Sequence, residues 1–383
     1  MTSLLGWNES TPTLTPIDSC SVQLAACGCV SALGDAAETH AALLRGERAL
    51  ALQPVCGSAG GDPVPLSLLA GRNLDETCPP SWLAPVKKLM RGCPDAPWGG
   101  VRHPVFVTSS NFGVGNLFAF RRFGGLSHLE YGTPETSVSV IARELGWRGN
   151  ITILSHACVS ANLGLMLAAR QLASDIADEA LVLTFDFLSP FVAGGFYALK
   201  ILNSEWPAPY QARDVSAIGL GDGAAFAVLR KPSSGWIIAG QTLHNEMHHF
   251  TAFPAGSGGF AACIDPLVRL ASGRRLWIKG HGTGTLESGR LEAEAFRRAC
   301  PASPLVGWKG SLGHTLGSNG LVELAVALES LRSGRIPGTV GSAAPTFSEN
   351  VSLGPIVDSS FDGVVCASNA FGGAHAALLL CHA

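Results

Sequence analysis

The amino-acid sequence predicts a layered α/β protein assembled from two similar halves. Short apolar, β-branched runs alternate with helix-length apolar segments along most of the chain, the pattern of strands covered by helices. After a turn at Lys231-Pro232-Ser233-Ser234-Gly235, the order of strand, helix, strand, loop and helix begins again. The 383 residues are 47% hydrophobic and only 14% charged, enough for two core-bearing units whose surfaces are widely covered by other segments or by a second subunit.

In order, residues 1–20 are polar and rich in Pro and Thr and read as an irregular lead-in. A strand follows at Val22–Val30, then a helix over Ala36–Arg45; the Cys27/Cys29 spacing is wrong for a zinc knuckle. Residues 50–82, rich in Gly, Pro and Cys, read as a surface excursion. Val105–Thr108 is a central strand running into Ser109-Ser110-Asn111-Phe112-Gly113-Val114-Gly115. Glycines there admit a phosphate cradle, but close backbone approach is the simpler account. Ile151–Leu154 reads as a buried strand, followed by a tight corner, Ser155-His156-Ala157-Cys158, and by a helix apolar almost all round. Ala180–Phe185 is another buried strand, Gly194–Leu199 opens a helix, and Gly219–Gly223 leads into a strand at Ala224–Leu229. The boundary between halves is set at residue 235. Beyond it come a strand from Trp236, a helix over Ile264–Ser272, a strand at Leu276–Lys279, two further helices, and paired terminal strands at Gly363–Cys366 and Ala376–Leu380.

Composition excludes several classes. The formal net charge is −3 and no basic run occurs, which speaks against nucleic acid. No apolar run reaches membrane-spanning length without Gly or charge, and the start MTSLLGWNESTPTL lacks the basic and apolar regions of a signal peptide. Eleven cysteines in no regular framework point to reduced thiols in a cytoplasmic protein.

The chemistry is concentrated at strand ends. Cys158 stands where a strand hands over to a buried helix, whose N-terminal N–H groups and dipole favour a thiolate and can hold an oxyanion. Gly280-His281-Gly282-Thr283-Gly284-Thr285 follows a strand directly. Lys309-Gly310-Ser311-Leu312-Gly313-His314-Thr315-Leu316-Gly317 precedes an apolar helix, and Asn369-Ala370-Phe371-Gly372-Gly373 lies between the last two strands. Open α/β sheets keep their sites at such ends. A thiolate at such a corner is a candidate nucleophile, and His281 and His314 place two imidazoles on neighbouring loops. His244, Glu246, His248 and His249 resemble a metal cluster, but no further ligand follows at sensible spacing, so no metal is assigned.

The order Ala157-Cys158, HGTGT at 281–285, Lys309 with His314 five residues on, and FGG at 371–373 resembles the elongating β-ketoacyl-acyl carrier protein synthases, over nearly the whole chain from Cys29. The resemblance implies a thiolase fold, with two pseudo-duplicated halves in five alternating α and β layers, divided as 1–235 and 236–383. It also implies a dimer across the half that bears Cys158, with the apolar Ala180–Phe185 run as the edge strand to be covered. By the same resemblance Cys158 is the acylated nucleophile, and His281 and His314 serve decarboxylation. Lys309 holds local charge and orients His314. The N–H groups of Cys158 and Phe371 form the oxyanion hole. Thr283 and Thr285 meet the pantetheine amides, Phe371 with Gly372 gates the cavity, and Val114 lines the acyl pocket. No resident cofactor is implied; substrates arrive on the phosphopantetheine arm of acyl carrier protein.

Several positions depart from the family pattern. Glycine (Gly289) replaces an aspartate before the retained Glu292, Val215–Ile218 replaces Arg-Asp-Gly-Phe, and the gate has one phenylalanine. These changes suit a specialised ketosynthase, such as the aryl polyene type, and a subunit that pairs with a different, related chain. The alternative is a chain-length-factor-like subunit that shapes a partner's pocket; such subunits usually lose the cysteine, which this chain keeps. A thiolase would place a second cysteine in a C-x-G loop, and neither Cys366 nor Cys381 lies in one. A simple cysteine hydrolase leaves Lys309 and the second histidine without a role.

Overall fold

A computed structural model describes residues 20–55, 63–75, 77–249, 254, 256 and 258–383. The N-terminal lead-in over residues 1–19 and the 250–253 stretch after the histidine cluster lie outside the described residues. Among the described residues, the sheet of the first half runs through β1 (Val22–Ser31), β2 (Val105–Thr108), β3 (Ile151–Leu154), β4 (Glu179–Asp186) and β5 (Gly223–Arg230), with the two-residue strand Gly34–Asp35 paired to β1 off that path. That of the second runs through β6 (Trp236–Asn245), β7 (Leu276–Lys279), β8 (Leu305–Val306), β9 (Gly363–Ala370) and β10 (Ala374–His382). The helices are α1 (Ala36–Leu44), α2 (Leu83–Met90), α3 (Val114–Phe123), α4 (Pro134–Leu145), α5 (Ser160–Ala173), α6 (Pro190–Ala198), α7 (Gly258–Leu270), α8 (Leu286–Ala299), the short α9 (Lys309–Leu312) and α10 (Asn319–Ser333).

The strand order is β8-β7-β9-β10-β6-β1-β5-β4-β2-β3, and it is symmetric about its middle. In the first half β1–β5 and β5–β4 are antiparallel, while β4–β2 and β2–β3 are parallel. In the second, β6–β10 and β10–β9 are antiparallel, while β9–β7 and β7–β8 are parallel. The first strands of the two halves, β1 and β6, pair with each other where Val22 faces Ile238. Each half thus repeats one topology.

The layers follow from side-chain alternation along the strands. Phe106, Val182 and Ala225 pack inward with Leu165 of α5, Leu324 of α10, and Trp277 and Val364 of the second sheet. Their neighbours Val107, Leu183 and Phe226 pack outward with Val86 of α2 and Ile141 of α4. Ile278, Val365 and Leu379 turn the other way, onto Ile264 of α7 and Phe296 of α8. Helices, sheet, the central pair α5 and α10, sheet, and helices again make five layers.

Three expectations change. The Ala180–Phe185 strand is interior, flanked by β2 and β5, whereas β3 is the outer edge and is only half-buried. An apolar run reads the same whether its flank is already paired or open. Within the 50–82 excursion, Val64–Ser67 is fully buried and pairs in parallel with Leu220–Gly221, so part of it belongs to the core. Helix α6 also begins earlier than predicted, because Ser189 caps it and Pro190 occupies its first turn.

Candidate active site

The corner after β3 is held by two side chains, Ser160 and Asn319, bonded to its backbone. Ala157 takes a positive φ of 46°, rare for a residue with a side chain and a frequent mark of functional corners. The His156 N–H donates to Ser160 Oγ at 2.8 Å, and that hydroxyl donates to the Ala157 carbonyl at 2.6 Å. Asn319, at the start of α10, donates from Nδ2 to the Cys158 carbonyl at 2.6 Å. Cys158 is thereby fixed against the N-terminus of α5.

His314 Nε2 lies 3.0 Å from Cys158 Sγ, and the rings of His281 and His314 stand edge to face with centroids 5.0 Å apart. His314 is placed by main-chain bonds, its N–H to the Gly219 carbonyl at 2.7 Å and its own carbonyl to the Gly221 N–H at 3.0 Å. Gly317 just beyond it must be glycine: a Cβ there would meet Asp186 Oδ2 and the Ser110 nitrogen at 2.8 Å. The loop bearing His281 is tied to Glu292 of α8, whose buried carboxylate accepts from the N–H groups of His281 (2.6 Å) and Gly282 (3.0 Å) and from the Tyr210 hydroxyl (2.7 Å).

Lys309 does not orient the His314 ring directly. Its ammonium donates to the His281 carbonyl at 2.8 Å and pairs with Glu323 of α10 at 2.8 Å. A second buried lysine, Lys279, also bonds Glu323 and donates to the Ala367 carbonyl at 3.0 Å. Burial pushes Lys309 down to about 8 despite Glu323, with Lys279 adding repulsion. Both imidazoles are held well below 6.5 by burial and then by the Lys309 charge, so both are neutral at physiological pH and each has one N–H to donate.

The expected low-pKa thiol is not found. Burial, reinforced by the Asp186 carboxylate, pushes the Cys158 thiol up to about 12, outweighing Lys309 and the backbone. The resting group is a thiol within hydrogen-bond distance of His314 Nε2. Asp186 itself, also buried, is raised to about 6 although Ser109 Oγ (2.7 Å), the Ser110 N–H (3.1 Å) and the Asn111 N–H (3.2 Å) donate to it. Those donors come from the glycine-containing loop after β2, where a Cβ on Gly113 would run into the Tyr131 carbonyl oxygen, the close backbone approach expected of that loop.

Cys158, His281, His314, Thr283, Thr285 and Phe371 line one cleft of about 840 Å3, its open mouth included. The hydroxyls of Thr283 and Thr285 are 3.1 Å apart. Phe371 is 39% exposed at the tip of the β9–β10 hairpin and stacks on Phe196 of α6 at 6.1 Å. Val114 and Gly372 are not part of this lining. Val114, at the first turn of α3, packs into the apolar cluster of Leu188, Val192 and Leu316, and Gly372 turns at the exposed hairpin tip with φ of 86°. The apolar wall is instead Phe196, Ile201 and Ile218. Sequence reasoning missed these three, and also Lys279, Asp186, Asn319 and Glu323; a charged residue inside an apolar run, as at Lys279 and Glu323, was the available signal. His156 lies outside the cleft lining. Among the described residues no group of three His, Cys, Asp or Glu side chains converges as a metal site; Glu246 bonds His375 at 3.1 Å instead. No helix of the described residues is long and apolar enough to cross a membrane.

Comparison with known proteins agrees with this geometry. The family profile "Beta-ketoacyl synthase, N-terminal domain" matches residues 122–234, and "Beta-ketoacyl synthase, C-terminal domain" matches 244–343. The chain is 28% identical over 275 residues to 3-oxoacyl-[acyl-carrier-protein] synthase 2 of Vibrio cholerae, covering 64% of this chain and 66% of that protein. It is 26% identical over 275 residues to the tetracenomycin polyketide synthase ketoacyl synthase alpha subunit of Streptomyces glaucescens, covering 66% and 64%. The match therefore spans just under two thirds of the length of these curated relatives. A β-ketoacyl synthase from Burkholderia phymatum superposes with a TM-score of 0.81 at 19% identity, over 94% of this chain and 99% of that one. A ketosynthase in complex with its chain length factor from Xenorhabdus doucetiae gives 0.77 at 20%, over 95% and 98%. These likenesses establish the thiolase-type fold. With the two profiles together spanning more than half of its residues, the chain belongs to the β-ketoacyl synthase family.

Proposed function

We propose that this chain is a β-ketoacyl-acyl carrier protein synthase, joining an acyl chain to a malonyl unit by decarboxylative Claisen condensation in fatty acid or polyketide assembly. The observation that carries the reading is Cys158 Sγ at 3.0 Å from His314 Nε2, with the His281 ring alongside in the same cleft. In the first half-reaction His314 takes the thiol proton, and the sulfur attacks the acyl thioester carbon. The N–H groups of Cys158 and Phe371 hold the oxyanion, and the carrier's pantetheine thiol leaves with a proton. In the second, the bond from the malonyl carbon to its carboxylate breaks and carbon dioxide departs. His314, having given up the thiol proton, takes the tautomer protonated at Nε2, and the electron pair moves onto the thioester oxygen, where neutral His281 and His314 donate to it. The enolate carbon then attacks the acyl carbonyl and the Cys158 thiolate leaves, giving the β-ketoacyl product on the carrier. Lys309 and Glu323 keep the His281 loop in position. Thr283 and Thr285 hold the pantetheine amides, and Phe371 with Gly372 forms the gate.

The proposed reaction draws on the chain's own side chains and backbone N–H groups, with acyl carrier protein as the substrate-bearing partner in the cytoplasm. We further propose that residues 1–235 supply the nucleophile and 236–383 the two histidines. A second subunit, a copy of this chain or a related one, would cover the open edge of β3 and the apolar side chains of Phe123 and Leu126, which are 73% and 77% exposed. Intact-protein mass spectrometry after incubation with acyl- and malonyl-carrier proteins tests the reading. One acyl mass on Cys158 and release of a β-ketoacyl product are expected; acylation that persists in Cys158→Ala would overturn it.

A further inference from the structure

Outside the cleft, the described residues contain a second thiol–imidazole pair. Cys78 Sγ lies 3.1 Å from His128 Nδ1. Asn116 of α3, only 1% exposed, reaches both groups through Nδ2, at 3.3 Å from His128 Nδ1 and 3.7 Å from the sulfur. The same nitrogen donates to the Thr77 carbonyl at 3.1 Å, which fixes the amide over the pair, and its Oδ1 is buried without a partner. The three residues come from separate segments: the loop before α2, α3 itself, and the short helical turn Leu126–Tyr131. Cys78 and His128 are both half-buried, so the pair is held in place yet not sealed from solvent.

Cys93 is the natural comparison. It is half-buried too, but its sulfur faces the Pro94 carbonyl at 3.7 Å, and burial with Asp95 pushes the thiol up to about 12. A thiol that can pass its proton to an imidazole reacts as the thiolate, and an amide N–H aimed at the sulfur stabilises the charge left behind.

We propose that Cys78 is a second activated thiol of this chain, one that exchanges with low-molecular-weight disulfides. The Cys78 proton moves to His128 Nδ1. The thiolate attacks one sulfur of the reagent, a new S–S bond forms, and the reagent's own S–S bond breaks. Its second sulfur leaves as a thiolate and takes the proton from His128. Cys78 is oxidised to a mixed disulfide and half of the reagent is reduced to a thiol. This chemistry is independent of condensation at Cys158.

Oxidised glutathione added to the full chain, followed by peptide mass mapping over time, tests the proposal. Modification at Cys78 is expected at least about tenfold faster than at Cys93 near neutral pH, and His128→Ala should remove about tenfold of the Cys78 rate while leaving Cys93 unchanged. The comparison within the unaltered protein needs no variant, so it stands even if His128→Ala folds poorly. Equal rates at Cys78 and Cys93, an unchanged Cys78 rate in His128→Ala, or exchange confined to Cys158 would each overturn it. Cys78→Ser should leave acylation of Cys158 intact.

Discussion

In the proposed mechanism Cys158 gains reactivity from a partner rather than from its own acidity. Burial and Asp186 push its thiol up to about 12, so little thiolate exists at neutral pH, and the proposed base is His314 at 3.0 Å. Cys158→Ala should therefore abolish acyl loading, and His314→Ala should slow loading by about 10²-fold or more. His281, for which the proposed role is in decarboxylation only, should behave differently. His281→Ala should stop carbon dioxide release from malonyl-carrier protein while Cys158 still acquires label from a radioactive acyl donor; equal loss of both half-reactions would contradict the separation. The two imidazoles also make a stability prediction. Their folded pKa values lie well below 6.5, so below that pH the unfolded chain takes up protons that the folded chain excludes. Stability therefore declines as pH falls through about 6.5, by at most ~1.4 kcal/mol per pH unit per imidazole. Asp186, raised to about 6, has the opposite sign: its contribution is full below the ordinary carboxylate pKa and is lost as pH rises through about 6. Urea melts at pH 7.5 and 5.5 should show the unaltered protein losing about 2 kcal/mol more than a His281→Asn/His314→Asn double variant, the Asp186 effect cancelling between them.

Among the elements, α10 ties the site together, because it carries both Asn319 against Cys158 and Glu323 between two lysines. Glu323→Gln would leave the ammonium groups of Lys279 and Lys309, both essentially fully buried, without their shared counter-charge. It should cost about 3–5 kcal/mol, whereas Lys279→Met, which keeps the Lys309–Glu323 pair, should cost less. Denaturation midpoints rank the two, and the reverse order would refute the shared role. None of this linkage was readable in advance. The strands were, because an apolar β-branched run such as Val105–Thr108 declares itself locally, and so was the corner at Cys158. Asn319 meets Cys158 across 161 residues and Lys279 meets Glu323 across 44, and neither spacing follows any helix or strand period. Val64–Ser67 was misread for a related reason: the glycines and prolines around it signal a loop, while its burial depends on a distant strand at Leu220. The misplaced edge shows the same limit, since the sequence of Ile151–Leu154 does not say which of its flanks is paired.

At the scale of the whole molecule, the two halves repeat one topology, yet their outer edges are treated differently. Beyond β8 the Leu305 N–H donates to the Asn350 carbonyl at 2.8 Å and the Ser352 N–H to the Leu305 carbonyl at 2.9 Å, so that edge is covered by the chain's own loop. Beyond β3 the sheet order has no further strand among the described residues. The N–H of Val105 bonds the Asn150 carbonyl at 3.0 Å and that of Ser109 bonds the Leu154 carbonyl at 3.3 Å, so the even-numbered residues turn inward, and alternation points the N–H and C=O of Ile153 outward. An open edge of apolar residues beside a site of this kind calls for a partner strand. We therefore expect a dimer that pairs at β3, formed with a second copy or with a related ketosynthase-like chain. Ile153→Pro removes the outward donor without touching the bonds to β2. It should convert the dimer to a monomer in size-exclusion chromatography with light scattering, while the Ile153 amide of the unaltered protein should exchange with solvent slowly at concentrations that favour the dimer. A unaltered chain that stays monomeric alone and on co-expression with such a partner, or an Ile153→Pro variant that still dimerises, would show that β3 is not the pairing edge.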